Sequence, residues 1–383
     1  MDQNPQDLAP PESGAEGTTR RRLLGTAIAG TAAVGALGAG LPLASAAGAE
    51  KRGGGVPKGQ YRIDLHTHYI PPAYSAFLTS KKVITVPWTV EAQLKFMDTW
   101  GIDKSVVSAP QPFDYGNPTE TQEVARGINE YGALLMKEQG DRYGIHATLP
   151  MPHIEESLAE LSYCFDELGF KGGVMLFANY NGVYLGDPSY TPLYEEFNRR
   201  GTVVWVHPSF PVEEPVGPYP GQVLEYPFET TRAATLIMYS ELLTKYPNIK
   251  WQLSHCGGTL PYILSRLAYG QQQHPYYPLV SLPNGPFEEA RKFYYDTAIG
   301  NSSEQMGLLD TLTGPSKVIF GTDWPFLNWE FAPNSHDVAP WFKDDLPNSE
   351  TGDPEPVLSR VWNRPDRLRV ERGNALELYP GLA

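Results

Sequence analysis

The chain has only two cysteines in 383 residues, Cys164 and Cys256, too few for a disulfide scaffold. Cys164 falls in a helical pattern with Leu158, Leu161, Phe165 and Leu168, and reads as a small buried apolar residue. Positive charge is also scarce: 30 Lys and Arg against 44 Asp and Glu leave a formal net charge of −14. Phosphate-rich partners need clustered cations, which argues against nucleic acid and anionic lipid surfaces. No Gly-rich phosphate fingerprint follows the first strand-like segment, so a doubly wound nucleotide-binding sheet is the weaker of two fold readings. Charged residues make up 19% and apolar residues 41% of the chain, a globular composition that excludes general disorder.

One long apolar run is present, and it lies at the start. Thr19-Arg20-Arg21-Arg22-Leu23-Leu24 opens an Ala/Gly-rich stretch to about Leu43, and Ala44-Ser45-Ala46 follows. Twin arginines, a weakly hydrophobic stretch and small residues predict a Tat-type export signal. Residues 1–50 are then signal and linker, and the mature protein is periplasmic or extracellular. A membrane anchor is the competing reading, because the run approaches the roughly 20 residues that span a bilayer. Its Gly and Ala content favours the cleaved signal, with no stable membrane association afterwards.

Beyond residue 56 short apolar runs alternate with helical patterns. Strands are expected at Tyr61–Leu65, Ser105–Ala109, Tyr143–Thr148, Gly172–Phe177, Thr202–Val206, Lys250–Ser254, Phe293–Thr297 and Lys317–Gly321. Helices are expected at Glu91–Trp100, Thr119–Gln139, Glu155–Leu168, Leu193–Arg200, Thr230–Lys245, Pro261–Ala268 and Glu304–Leu312. Such alternation predicts an α/β fold, a single (β/α)8 TIM barrel over residues 57–383. Pro-rich insertions follow strand five (Pro208–Pro227) and strand eight (Asp323–Pro356), on the face where barrel loops carry catalysis. The segment Val357–Ala383 returns to a helical pattern and is expected to pack outside the barrel.

Ile63-Asp64-Leu65-His66-Thr67-His68 ends the first strand. Side chains two apart on a strand share a side, so two imidazoles can converge on one ion. Alone, that pattern also fits two polar residues leaving a strand. His207 ends the fifth strand, His255 the sixth and Asp323 the eighth, and in a closed parallel barrel these ends surround one mouth. Tyr69, Phe113, Tyr115, Phe210, Trp324 and Phe326 are candidate pocket aromatics, with Trp324 favoured because it adjoins Asp323. His146, His153, His274 and His336 have no comparable setting and read as structural or surface residues. Asp296 reads as a carboxylate supporting the site from behind rather than as a ligand.

Together with Phe228-Glu229-Thr230-Thr231-Arg232, Leu253–Gly258 with Pro261, Gly321–Phe326 and Gly373-Asn374-Ala375-Leu376-Glu377-Leu378-Tyr379, these motifs resemble the amidohydrolase superfamily. The nearest likeness is its amidohydrolase-related 2 group, the aminocarboxymuconate-semialdehyde decarboxylase-like enzymes, over most of residues 60–380. The resemblance implies His66, His68, His207 and Asp323 as ligands of a divalent metal, zinc or else manganese. It makes His255 the proton carrier, and Asp323 a possible second one. Binuclear members carry a bridging Lys or Glu at the end of strand four; here that end reads Gly173-Val174-Met175-Leu176-Phe177, which implies one metal. Arg266, eleven residues after His255, matches an arginine that binds substrate carboxylate across a homodimer interface. A second family arginine is not matched, since Ile84 stands at its spacing. The implied activity is non-oxidative decarboxylation of an unsaturated or aromatic carboxylic acid. Hydrolysis of a lactone, ester or amide is the alternative, and a non-catalytic binding protein on the same barrel a third reading.

Overall fold

Short, almost wholly buried strands follow one another in chain order and pair in parallel. In the computed structural model β1 (Arg62–His68), β2 (Ile102–Ser108) and β3 (Tyr143–Ile145) form one set. The strands β4 (Ala147–Thr148), β5 (Val174–Phe177), β8 (Val203–His207), β9 (Lys250–Leu253), β10 (Tyr294–Asp296) and β11 (Val318–Ile319) form the other. The structure describes residues 62–83, 85–110, 114, 116–212, 221–272, 282–300, 302–326 and 355–383, all within the unit Gly54–Ala383. The proposed signal, residues 1–50, lies outside them, as do Phe113, Tyr115, His274, His336 and most of the insertion after Asp323. Among the described residues no helix is long and apolar enough to cross a membrane.

Backbone hydrogen bonds join both seams between the two sets. β3 and β4 are halves of one strand broken at His146, whose N–H donates to Val107 O at 2.9 Å, while Ala147 N donates to Gly173 O at 2.9 Å. At the other seam Leu65 N donates to Phe320 O at 3.0 Å and His68 N to Trp324 O at 2.8 Å. Eight parallel strand positions thus pair in a ring, the (β/α)8 architecture. Strands buried on both faces read as apolar runs, which is why all eight were visible in the sequence.

The helices α1 (Pro72–Ser80), α2 (Val90–Thr99), α3 (Pro118–Gln139), α4 (Ile154–Ser162), α5 (Thr191–Arg200), α6 (Gly221–Tyr239), α7 (Leu242–Lys245), α8 (Leu260–Gln272), α9 (Gly285–Ala290) and α10 (Ser303–Thr313) fall between strands. Several features depart from the sequence reading, among them α9, where no helix was expected. α1 was not expected, because it buries only Tyr74 and Leu78 and so carries little periodicity. α6 begins nine residues before the expected Thr230 and runs through Pro227, a residue that normally marks a helix boundary. A hairpin of β6 (Asn179–Tyr180) and β7 (Val183–Tyr184), the one antiparallel pair among the described residues, follows β5.

The C-terminal segment corrects a further expectation. It forms α11 (Glu355–Val361), α12 (Arg364–Leu368) and α13 (Asn374–Leu378), but does not simply coat the outside of the barrel. Ala375, Leu378, Tyr379 and Leu382 share a core cluster with Ile63, Leu65, Val106, Val203, Tyr294 and Ile319. Several of these begin their strands, so the segment covers the end of the barrel away from the strand C-termini. Apolar residues left open there would face water, and each buried Leu recovers about 1.5–3 kcal/mol. The Tyr379 hydroxyl reaches His146 Nε2 at 2.9 Å.

Candidate metal centre

The two histidines of β1 lie at a bulge. Asp64 pairs with Ser105 and Thr67 with Val107, so β1 advances three residues while β2 advances two, which re-aims the side chains between. Asp323 follows β11 in a left-handed conformation with φ 59°, one that Asp tolerates better than most residues. Its N–H donates to His66 O at 2.7 Å. Asp64 fastens the same corner: its carboxylate accepts from His66 N (3.1 Å), Thr322 N (3.2 Å) and Thr322 Oγ1 (2.6 Å). Burial still raises the Asp64 pKa to about 7, against those donors.

His66, His68, His207 and Asp323 present ligating atoms within 4.8 Å of one another, all four residues buried. Asp323 Oδ1 stands 3.2 Å from His66 Nε2 and 3.1 Å from His68 Nε2. Each imidazole is anchored through its other nitrogen: His66 Nδ1 to Asp296 Oδ2 (2.9 Å), His68 Nδ1 to Ser108 Oγ (3.0 Å) and His207 Nδ1 to Pro208 O (2.8 Å). That support fixes ring orientation and leaves Nε2 facing the centre. His66 Nε2 is buried with no hydrogen-bond partner, a cost that a coordinated cation removes. Three imidazoles and one carboxylate fit one divalent ion. The end of β5, where a bridging residue would stand, offers only buried Val174, Met175, Leu176 and Phe177.

Electrostatics follow from burial and the two carboxylates. Burial lowers the pKa of His68, and lowers that of His207 well below the usual range with help from the neighbouring imidazoles. Burial also disfavours charge on His66, but Asp296 and Asp323 overcome it and raise that imidazole to about 10. Burial likewise opposes charge on Asp323, yet His66 and the other surrounding imidazoles hold its carboxyl well below the ordinary range. A bound cation would compete with a proton for the His66 Nε2 lone pair.

His255 stands apart from the four. Its Nε2 lies 3.6 Å from Asp323 Oδ2, its ring centroid 4.7 Å from that of His66, and both ring nitrogens are buried without a hydrogen-bond partner. Asp296 supports it too, accepting His255 N at Oδ1 (2.8 Å) while Oδ2 serves His66. One carboxylate therefore backs both a ligand candidate and the proton carrier candidate.

The remaining candidates scatter. Trp324 is buried and stacks on Phe96 of α2 at 5.6 Å; its contribution to the centre is the carbonyl that accepts from His68 N. Phe326 meets His68 edge-on at 5.4 Å and Trp205 stacks on it at 5.6 Å, and Phe177 and Tyr226 flank His207 at 5.8 and 6.4 Å. Tyr69 is core, its hydroxyl donating to Ile128 O. Arg266 is exposed on α8, between the exposed Tyr262 and Tyr269. Beside Phe177 a cavity is lined by Asp114, Thr148, Leu149, Met151, Met175, Phe177 and Tyr180, one acid among mostly apolar groups, with no basic side chain among the described residues. Sequence reasoning missed Asp64, whose spacing two residues before His66 was the available signal, and Asp114, which lies in a loop.

A family model described as amidohydrolase matches residues 63–381. The chain belongs to the amidohydrolase family. This amidohydrolase is 33% identical over 341 residues to Decarboxylase macB of Penicillium terrestre, covering 83% of this chain and 95% of that one. It is 32% identical to the 6-methylsalicylic acid decarboxylase of Penicillium expansum, covering 84% and 97%. Among solved structures it resembles a dihydroxybenzoic acid decarboxylase of Polaromonas sp. JS666 with bound manganese and the inhibitor 2-nitroresorcinol. That match has a TM-score of 0.62 at 22% identity, over 84% of this amidohydrolase and 97% of the other chain, a likeness of fold.

Proposed function

We propose that this amidohydrolase is a metal-dependent carboxy-lyase that removes carbon dioxide, without an oxidant, from a hydroxylated aromatic monocarboxylic acid. The observation that carries the reading is the separation of roles at the centre. Four donors converge on one point, and His255 stands 3.6 Å from Asp323 outside that set, in a chain whose relatives at 32–33% identity are named decarboxylases. His66, His68, His207 and Asp323 would hold one divalent ion, manganese or zinc, supplying Lewis acidity toward substrate oxygens and developing negative charge.

The residues then divide the work. Loss of carbon dioxide leaves an electron pair on carbon, and a proton must take the vacated position. His255 Nε2 is placed to deliver it, with Asp323 Oδ2 alongside to pass protons on. Phe326, Phe177 and Tyr226 flank a planar ring. The small cavity beside Phe177 would lie next to the far edge of the substrate. Asp114 there, and Ile84 in place of a second family arginine, favour one carboxylate over two. Arg266, with Tyr262 and Tyr269 on the same exposed face of α8, is the proposed carboxylate contact of a neighbouring subunit in a homodimer. Residues 1–46 are the proposed Tat-type signal, with the enzyme acting after export.

The test is product analysis. Purified protein loaded with manganese or zinc is offered 6-methylsalicylate, 2,6-dihydroxybenzoate and a panel of aryl lactones. Carbon dioxide release that disappears in His255→Ala supports the lyase. Stoichiometric acid from the lactones without carbon dioxide would make it a hydrolase. N-terminal sequencing of the exported protein and sizing of Arg266→Ala test the localisation and the dimer.

A further inference from the structure

The motif Phe228–Arg232 lies on α6, against the loops that carry both His207 and His255. Residues 255–258, directly after β9, are four consecutive left-handed residues, with φ of 53°, 59°, 76° and 63°. Glycine adopts that region freely, but His255 and Cys256 do not, and such a turn persists only where its surroundings over-determine it. At its leading end His255 N donates to Asp296 Oδ1. At its trailing end α6 closes on it. Thr259 N donates to Thr231 Oγ1 at 2.8 Å, the two threonine hydroxyls lie 2.9 Å apart, and Thr231 Oγ1 donates to Pro227 O at 2.7 Å. The Thr231 hydroxyl thereby uses its one proton and both lone pairs. Gly258 lies so close beneath that a Cβ there would stand 2.1 Å from Pro227 O.

Two residues before Thr231, the same helix grips the other histidine loop. Glu229 is fully buried and accepts from Asn179 Nδ2 at 2.6 Å and from the Tyr184 hydroxyl at 2.8 Å, while pairing with Arg232. Asn179 Nδ2 also reaches Ser209 Oγ at 3.0 Å, two residues past His207, and Ala178 N donates to His207 O at 2.7 Å. The route from Glu229 to His207 therefore passes through one asparagine and one backbone pair.

We infer that the Pro227–Thr231 stretch of α6 is a clamp that sets the separation of His207 from His255, whose rings stand 5.9 Å apart. Glu229 and Thr231 are positioning residues with different loads. Glu229 holds the loop that carries a metal ligand, and Thr231 holds the strained turn that carries the proton donor. The inference rests on the proposed roles of those two histidines.

The experiment compares Glu229→Gln, Thr231→Val and Thr231→Ser in the full chain, reading manganese affinity by titration calorimetry, kcat and KM on the best aromatic acid, and melting temperature. Thr231→Val is expected to keep manganese affinity and KM within about threefold while kcat falls about 10–100-fold, the range for lost supporting contacts. Thr231→Ser, which restores the hydroxyl, is expected to recover most of kcat. Glu229→Gln is expected to weaken manganese binding by about 10–100-fold. A crystal structure of Thr231→Val is expected to show the 255–258 turn relaxed out of the left-handed region. The clamp is overturned if Thr231→Val leaves kcat and the turn unchanged, if it weakens manganese binding as much as Glu229→Gln does, or if Glu229→Gln binds manganese normally. If Thr231→Val fails to fold, Thr231→Ser and Glu229→Gln decide. If the unmodified protein releases no carbon dioxide, the decarboxylase reading fails, while manganese affinity and the turn still decide the clamp.

Discussion

The two sides of the barrel mouth are built from opposite chemistries. Around β1, β10 and β11 every strand end carries a buried carboxylate or imidazole: Asp64, His66, His68, Asp296 and Asp323 are 0–6% exposed. Around β4 and β5 the ends are Thr148, Met175 and Phe177, opening on a cavity with Asp114 as its lone charge. Buried polar groups are costly unless each finds a partner, and on the first side nearly all do, through hydrogen bonds that leave Nε2 atoms directed to one point. The second side needs no such network, because apolar walls bind a ring by contact and exclude water. On the proposed function the contrast separates holding an ion from holding a substrate, and it can be attacked from either side.

The largest effect belongs to the polar side. Asp323→Asn removes the one carboxylate of the proposed ligand set and the carboxylate 3.6 Å from His255, and is expected to abolish manganese retention and lower kcat by at least about 10³-fold, within the range for loss of a proton-transfer group; metal content and carbon dioxide release check it. Asp296→Asn should follow, weakening manganese affinity by about 10–100-fold, because His66 loses the group that orients it, as a calorimetric titration would reveal. On the apolar side Asp114→Asn leaves metal binding alone and raises kcat/KM for an aromatic diacid about tenfold relative to the monoacid, since a like charge facing a second carboxylate is removed. A diacid already accepted by the unmodified enzyme as well as the monoacid would erase this side of the comparison.

A separate effect, on stability, lies beneath both sides. His146 is buried, and burial lowers its pKa from 6.5 to about 3. The unfolded chain gains a proton below about pH 6.5 that the folded chain refuses until about pH 3. This contribution is therefore complete above pH 6.5 and is lost as pH falls, by up to about 1.4 kcal/mol per pH unit. His146→Gln is expected to flatten that part of the acid limb, as read from denaturant midpoints between pH 7 and 4.

Much of this organisation was legible in the sequence, for identifiable reasons. Strands buried on both faces announce themselves as apolar runs, and His66, His68, His207, His255 and Asp323 each terminate one. Parallel closure then brings them together without further information. Legibility failed where function depends on loops and on contacts between distant segments. Pro227 read as the end of a Pro-rich insertion, yet it lies inside α6, where its carbonyl accepts from Thr231 Oγ1. Tyr379 read as part of an outer helix, yet its hydroxyl meets His146 on the inside of the barrel, 233 positions away in the chain. Trp324 drew attention by adjacency to Asp323, but its ring is buried against Phe96 of α2, and Phe326 is the ring that reaches His68.

The account stands on one ion held by four residues, with the proton carrier outside the set. The direct test is metal content per chain, by inductively coupled plasma mass spectrometry, for the unmodified protein and for His255→Ala, each assayed for carbon dioxide release from 6-methylsalicylate. The account predicts one divalent ion per chain in both, with release lost only in the variant. Two ions per chain, an ion lost along with His255, or full activity in its absence would contradict it.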